Sequence, residues 1–260
     1  MKAGWEVKRL GDLCDLITKG TTPTSVGYSF TNEGINFVKV ESISLNGLFI
    51  KSKLANINED CHKTLKRSQL EQGDILFSIA GALGRTALVT KEILPANTNQ
   101  ALAIIRLKKS SEILPEFILK ALETGFTLEQ IEKFKGGVAQ QNLSLSQVQE
   151  FKIPIPLLPE QQRIVALLDA AFASIATAKA NTEQNLKNAR ALFDSYLHEV
   201  FSKRGEGWEE KTLGDVCEFL NGFAFKSSNV IPKSKTQLVR MGNLYGCLLY
   251  TSDAADDTPC

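Results

Sequence analysis

Between Glu160 and Lys203 the chain carries neither glycine nor proline, and Gly205 is the first breaker beyond. Within that stretch Leu168, Phe172, Ile175, Lys179, Thr182, Leu186, Ala189, Phe193, Tyr196 and Val200 fall at alternating spacings of four and three. This is the period of a coiled-coil seam, and a continuous helix over it would reach about 65 Å at roughly 1.5 Å per residue. A stripe so long and narrow exceeds what one globular core buries, so the pattern predicts a spacer helix that needs a second helix along its side. Lys179 and Thr182 soften the seam midway, and polar groups at such positions fix register at a cost in stability.

The same opening stands on both sides of this stretch. Gly4-Trp5-Glu6-Val7-Lys8-Arg9-Leu10-Gly11-Asp12-Leu13-Cys14 returns as Gly207-Trp208-Glu209-Glu210-Lys211-Thr212-Leu213-Gly214-Asp215-Val216-Cys217, and Phe37-Val38-Lys39-Val40 is echoed by Leu238-Val239-Arg240-Met241. A period this long is a duplicated domain rather than a solenoid repeat. The expected division is a first domain over 1–158, the spacer helix over 159–204 and the start of a second, duplicated domain over 205–246. Residues 247–260 read differently. The run Cys247-Leu248-Leu249-Tyr250-Thr251-Ser252 fits codons resembling a transposase sequencing adapter, so this tail is expected to be non-native and the second copy incomplete.

Composition adds bounds. With 43% hydrophobic and 23% charged residues the chain reads as an ordinary globular protein. No apolar run is expected to span a bilayer and no signal peptide opens the sequence, which makes a cytoplasmic location and no membrane partner the expectation. The formal charge is +1, and without the three tail aspartates the rest is about +4. That mild basicity permits nucleic acid without demanding it. Of the five cysteines none forms a Cys-x-x-Cys pair, and His62 and His198 lie far from any cluster, so no metal site is expected. Cys14 and Cys217 are repeat equivalents, expected to be small buried hydrophobes.

The first domain reads as mixed α/β. An amphipathic segment near Leu10–Ile17 leads to the turn Lys19-Gly20-Thr21-Thr22-Pro23, then to a strand at Ile35–Val40. Asp74–Ile79 and Arg85–Thr90 pair as strands across a glycine-bearing turn, and Ala101–Leu107 follows the polar elbow Asn97-Thr98-Asn99-Gln100. Pro115 opens a helix to Glu123, a second covers Leu128–Phe134, and Ser144-Leu145-Ser146-Gln147 is a capping-box start. The alternating prolines of Ile153-Pro154-Ile155-Pro156-Leu157-Leu158-Pro159 hold that segment extended.

Taken in order, these pieces resemble one family, the DNA specificity (S) subunit of type I restriction-modification enzymes. The resemblance covers essentially Met1 to Tyr245. It rests on the twin Gly-Trp-x-x-x-x-Leu-Gly-Asp openings, Gly20-Thr21-Thr22-Pro23, Gly73-Asp74-Ile75-Leu76-Phe77-Ser78, Asn99-Gln100-Ala101, and Ile153-Pro154-Ile155-Pro156-Leu157-Leu158-Pro159-Glu160-Gln161-Gln162-Arg163-Ile164-Val165 running into the long helix. It implies an α/β target-recognition domain that reads one half of a bipartite DNA target, a coiled-coil-type spacer helix, and a second recognition domain for the other half. It also implies methyltransferase (M) and restriction (R) subunits as partners and no catalysis by this subunit. S-adenosylmethionine, ATP and Mg would belong to those partners, and this chain would hold no cofactor. With the partner helix missing, the exposed seam is expected to favour self-association.

The residues themselves offer no rival chemistry. There is no Asn/Asp-Pro-Pro-aromatic motif for amino-methyl transfer, and Gly81-Ala82-Leu83-Gly84-Arg85-Thr86 lacks the spacing and lysine of a phosphate loop. DNA reading requires side chains that reach base edges or phosphates. Three loops supply them: Lys19, Thr21 and Thr22; the turn from Ser78 to Arg85; and the run Gln140, Gln141 and Asn142, whose amides suit adenine. Lys39 and Arg85 are assigned to phosphates. Two alternatives stand beside this reading: part of a fused restriction-methyltransferase, and a helical protein-interaction scaffold.

Overall fold

The prolines and glycines that punctuate the first half of the sequence cut it into short strands, and the order in which these pair positions the loops that join them. The computed structural model describes residues 4–109, 112–135, 142–203 and 205–222, and it divides into two units, Met1–Arg190 and Ala191–Cys260.

In the first unit β1 (Glu6–Arg9) runs into the single turn α1 (Leu10–Leu13) and directly into β2 (Cys14–Lys19). After a 3-10 turn at Pro23–Val26 come β3 (Ile35–Val38), β4 (Ala55–Ile57) and α2 (Glu59–Thr64), which Asn58 caps by accepting the Cys61 N–H at 2.9 Å. The hairpin β5 (Ile75–Ser78) and β6 (Thr86–Leu88) is followed by β7 (Ala96–Thr98) and β8 (Leu102–Leu107). Helices then take over as the sequence predicts. α3 spans Pro115–Leu122 with its proline at the first helical position, and α4 spans Gly125–Lys135. α5 (Leu145–Gln149) starts on a reciprocal cap, in which the Gln147 N–H donates to Ser144 Oγ at 3.1 Å and the Ser144 N–H to Gln147 Oε1 at 2.8 Å. β9 (Lys152–Ile155) precedes the long helix α6 (Leu158–Ser202).

Among the described residues the strands form three sheets, ordered β1-β9, β2-β8-β5-β6 and β4-β3-β7. The four-stranded sheet is antiparallel throughout, and its two central strands, β8 and β5, are nearly continuous apolar runs because both faces are covered. Ile75, Phe77, Ala103 and Ile105 face a core built with Phe117, Ile118 and Phe151, while Leu76, Leu102 and Ile104 face a second cluster with Val38 and Ile43. Arg106 clamps the buried carboxylate of Asp74, with Nε to Oδ1 at 2.7 Å and Nη2 to Oδ2 at 2.8 Å. That hydrogen bonding raises the guanidinium pKa above its ordinary value.

The long helix is uninterrupted from Leu158 to Ser202, including the soft positions Lys179 and Thr182. The outcome departs from expectation in one respect. An 18-residue window of α6 averages 1.3 in hydropathy, so among the described residues this one helix is long and apolar enough to cross a membrane by length and composition. The physical reason is alanine, which lifts mean hydropathy while adding little side chain to bury. A single such helix is weak evidence for a span.

In the second unit the described residues comprise the end of α6, a turn in which Trp208 meets Phe201 edge-on at 6.0 Å, and α7 (Leu213–Val216). α7 matches α1 residue for residue in the repeat, yet Leu213 and Val216 are 67% and 60% exposed where Leu10 and Leu13 are buried. Cys217 is likewise exposed, against the expectation of burial, whereas Cys14 is buried. The described residues of this unit carry a helical turn in common with the first domain and no sheet, so the duplicated fold is not established by them.

Candidate nucleic-acid interface

Antiparallel pairing alternates chain direction, so β2 and β5 end where β6 and β8 begin. Lys19, Ser78, Thr86 and Leu102 therefore mark one end of the four-stranded sheet. β3 joins the same end: it runs parallel to β7 with Val38 opposite Thr98, and the Thr98 hydroxyl donates to the Val38 carbonyl at 2.9 Å. Lys39 and Asn99 follow these residues directly, and the elbow Asn99-Gln100-Ala101 turns β7 into β8. Loops separated widely in sequence thus meet at one edge.

The turn after β2 lies flat on that elbow. The Thr21 N–H donates to the Thr98 carbonyl at 3.1 Å and the Gly20 N–H to the Leu102 carbonyl at 3.4 Å. Any Cβ at Gly20 would stand 1.9 Å from the Thr98 carbonyl oxygen, so only glycine permits this approach. The Thr22 hydroxyl donates to Gln100 Oε1, which leaves the Gln100 amide nitrogen at an exposed position. Lys19 is exposed, and Thr21 and Thr22 are half-buried.

Lys39 is half-buried, and its ammonium sits 4.4 Å from the centre of the Phe30 ring, which packs edge-on against Phe37 at 5.3 Å. Exposed Lys51 and Lys53 are carried on a 3-10 turn tied to the 40–42 turn by the Ser42 hydroxyl, which donates to the Lys53 carbonyl at 2.7 Å. Two acids interrupt this positive cluster: exposed Glu41, and Glu123, whose Oε1 accepts the Thr86 hydroxyl at 2.7 Å.

Ser78 and Arg85 both make contacts within the protein. Ser78 is fully buried; its hydroxyl donates to the Ala82 carbonyl and accepts the Arg85 N–H at 2.8 Å. Arg85 sends Nη1 to the Ile43 carbonyl at 3.0 Å and the Val40 carbonyl at 3.5 Å, and its buried Nε has no partner. Ser78 closes the hairpin from a buried position, and half-buried Arg85 ties it to the 40–43 loop through Nη1. Of the amide run, Gln140 and Gln141 lie outside the described residues. Asn142 is exposed, and the next residue hydrogen-bonds the hairpin, with the Leu143 N–H donating to the Ile79 carbonyl at 2.8 Å. The sheet end thus gathers Lys19, Thr21, Thr22, Lys39 and Asn142 around the framing pair Ser78 and Arg85. It also brings in Asn99 and Gln100, which in the sequence stand out as an elbow and a family motif but not as candidate DNA contacts. Their signal was present, since they are consecutive amides of the kind prized at Gln140-Gln141-Asn142, next to a threonine turn.

Residues 2–188 match the model of a family described as the type I restriction modification DNA specificity domain. The chain belongs to this family. The matched stretch contains every loop of the sheet end and most of α6. A relative, the type I restriction enzyme EcoBI specificity subunit of Escherichia coli, is 28% identical over 175 residues, covering 67% of this chain and 36% of its own length. Among solved structures, the HsdS subunit from Thermoanaerobacter tengcongensis aligns with a TM-score of 0.61 at 21% identity, covering 81% of this chain and 52% of that one. A chain from a study of complex assembly and conformational transition of the type I restriction-modification system aligns at 0.64 and 23% identity, covering 88% and 58%. These likenesses establish the mixed α/β fold with its long helix. This chain spans between about a third and three fifths of the length of these relatives.

Proposed function

We propose that this chain is a non-catalytic reader of double-stranded DNA that recognises one half of a bipartite target through the loop end of its four-stranded sheet. The observation that carries the reading is the convergence of Lys19, Thr21, Thr22, Lys39, Gln100 and Asn142 at that single edge, in a family defined by DNA specificity. Lysines suit phosphates and amides suit base edges. The helix α6 then acts as a spacer toward a second reader, and its unpaired stripe takes a partner helix or a second copy of this chain. Methyltransferase and restriction subunits assemble around the reader in the cytoplasm and supply the chemistry, with S-adenosylmethionine, ATP and Mg bound there.

Fluorescence anisotropy with a mixed-sequence duplex over a salt series tests the reading. Affinity should fall linearly on a log–log plot, by a slope of about 0.9 for each phosphate neutralised. Lys19→Ala and Lys39→Ala should each flatten that slope by about one while leaving sequence preference alone. In the chain assembled with methyltransferase partners, Thr22→Ala, Gln100→Ala or the triple replacement of Gln140, Gln141 and Asn142 should relax one half of the methylated sequence, because a bidentate amide contact is worth roughly 1–3 kcal/mol. Salt-insensitive binding, or none, would sink the proposal.

A further inference from the structure

The first turns of α6 are held to the recognition domain by side chains that DNA reading does not use. Gln161 is 1% exposed, and both ends of its amide are engaged. Nε2 donates to the carbonyls of Glu112 at 3.1 Å and Pro156 at 2.9 Å, and Oε1 accepts the Leu114 N–H at 3.0 Å. These backbone groups belong to the connection from β8 to α3 and to the residue pair before the helix, not to the helix's own ladder. An aliphatic side chain could fill the volume but would leave three backbone groups unpaired.

A second tie lies farther along the same helix. Lys120 of α3 approaches Asp169 at 3.8 Å, with its ammonium 5.0 Å from the centre of the Phe172 ring. One anchor would let the helix pivot; two anchors separated by roughly 15 Å of helix, at about 1.5 Å per residue, define its axis. The magnitude at stake is large. From Gln161 to Arg190 the helix is roughly 45 Å long, so a tilt of about 10° would move its far end by about 8 Å, or more than two base pairs at roughly 3.4 Å each.

We infer that Gln161 and Lys120 are positioning residues that set the angle at which the spacer helix leaves the recognition domain, and hence the direction in which a second reader is presented. The purpose assigned to that angle rests on the proposed function, but the angle itself is measurable without DNA. The test places nitroxide labels at Glu116 on α3 and Lys187 on α6 of the whole chain, with Cys217, Cys247 and Cys260 replaced by serine, and reads their separation by double electron–electron resonance. The parent, diluted with an excess of unlabelled chain so that distances between copies drop out, should give one narrow distance. Gln161→Met, which keeps the stem and removes all three hydrogen bonds, should broaden or shift it, and Lys120→Met should do so to a smaller degree. Unchanged amide-exchange protection in β5 and β8 separates a loosened angle from unfolding, an effect that a purely structural role would not produce. Should Gln161→Met fail to fold, Lys120→Met decides. An unchanged distance distribution in every folded variant would overturn the inference, whereas failure of DNA binding alone would leave it standing.

Discussion

Single atoms decide how the candidate interface is framed. At Gly20 a methyl group would sit 1.9 Å from a carbonyl oxygen of the elbow, so Gly20→Ala must push the turn off β7. The expected cost is at the high end for a point change, roughly 3 kcal/mol. Urea denaturation should show it beside Gly125→Ala, where nothing lies within 4 Å of the new Cβ; equal midpoints would mean that the turn does not rest on the elbow. Cys14 offers a second test at this scale. Burial pushes its thiol up from an ordinary 9.0 to about 12, with Lys108 pulling weakly the other way. The folded state therefore keeps the proton that the unfolded chain releases first. The associated stability is fully present below pH 9 and is lost as pH climbs through about 12. Across that alkaline window stability should fall more steeply in the parent than in Cys14→Ala, and parallel curves would contradict the burial.

At the scale of elements, local signals with a mechanism were legible. The proline start of α3, the reciprocal cap of α5 and the heptad seam of α6 each name a hydrogen bond or a face, and the structure has the element there. Ser144→Ala should accordingly cost about 1 kcal/mol, with Gln147→Ala costing no more, because each removes one half of the same cap; thermal unfolding reads both. What the sequence concealed depends on distant partners. β1 is a polar, wholly exposed Glu-Val-Lys-Arg whose strand character comes from pairing with β9 across the domain. β2 hides inside an apparently amphipathic segment because the helical spacing of Leu10 and Leu13 runs straight into it, and only pairing with β8 makes Cys14–Lys19 extended. β4 and β7 are three residues each, too short to show alternation. The site divides the same way. The turn at Lys19–Thr22 was legible from its glycine and threonines, but whether the hydroxyl of Ser78 faces solvent or its own hairpin is a question of register that composition does not answer.

For the whole molecule, the unresolved demand is the apolar seam along α6. In the first unit Phe172, Ile175 and Leu186 are 52%, 62% and 54% exposed, and in the second Phe193 and Tyr196 are 62% and 64% exposed. Large side chains left in water along one face favour association, and a two-fold pairing of identical helices satisfies every copy at once and closes without propagating. The proposed pairing of two chains through α6 therefore makes a chemical forecast that differs from DNA binding. It should be concentration-dependent but nearly indifferent to moderate salt, because it buries hydrocarbon rather than neutralising phosphates. Lys179→Leu, which replaces the soft centre of the stripe, should tighten it. Ile175→Glu or Leu186→Glu should loosen it, because a carboxylate would have to be buried against an apolar partner. Sedimentation velocity over a concentration series tests all three, and amide exchange along α6 supplies the site, since protection should rise with concentration around Leu186 and not in β5 or β8. A parent chain that remains monomeric at the highest attainable concentration, with Lys179→Leu behaving the same way, would leave the stripe for a helix of another chain.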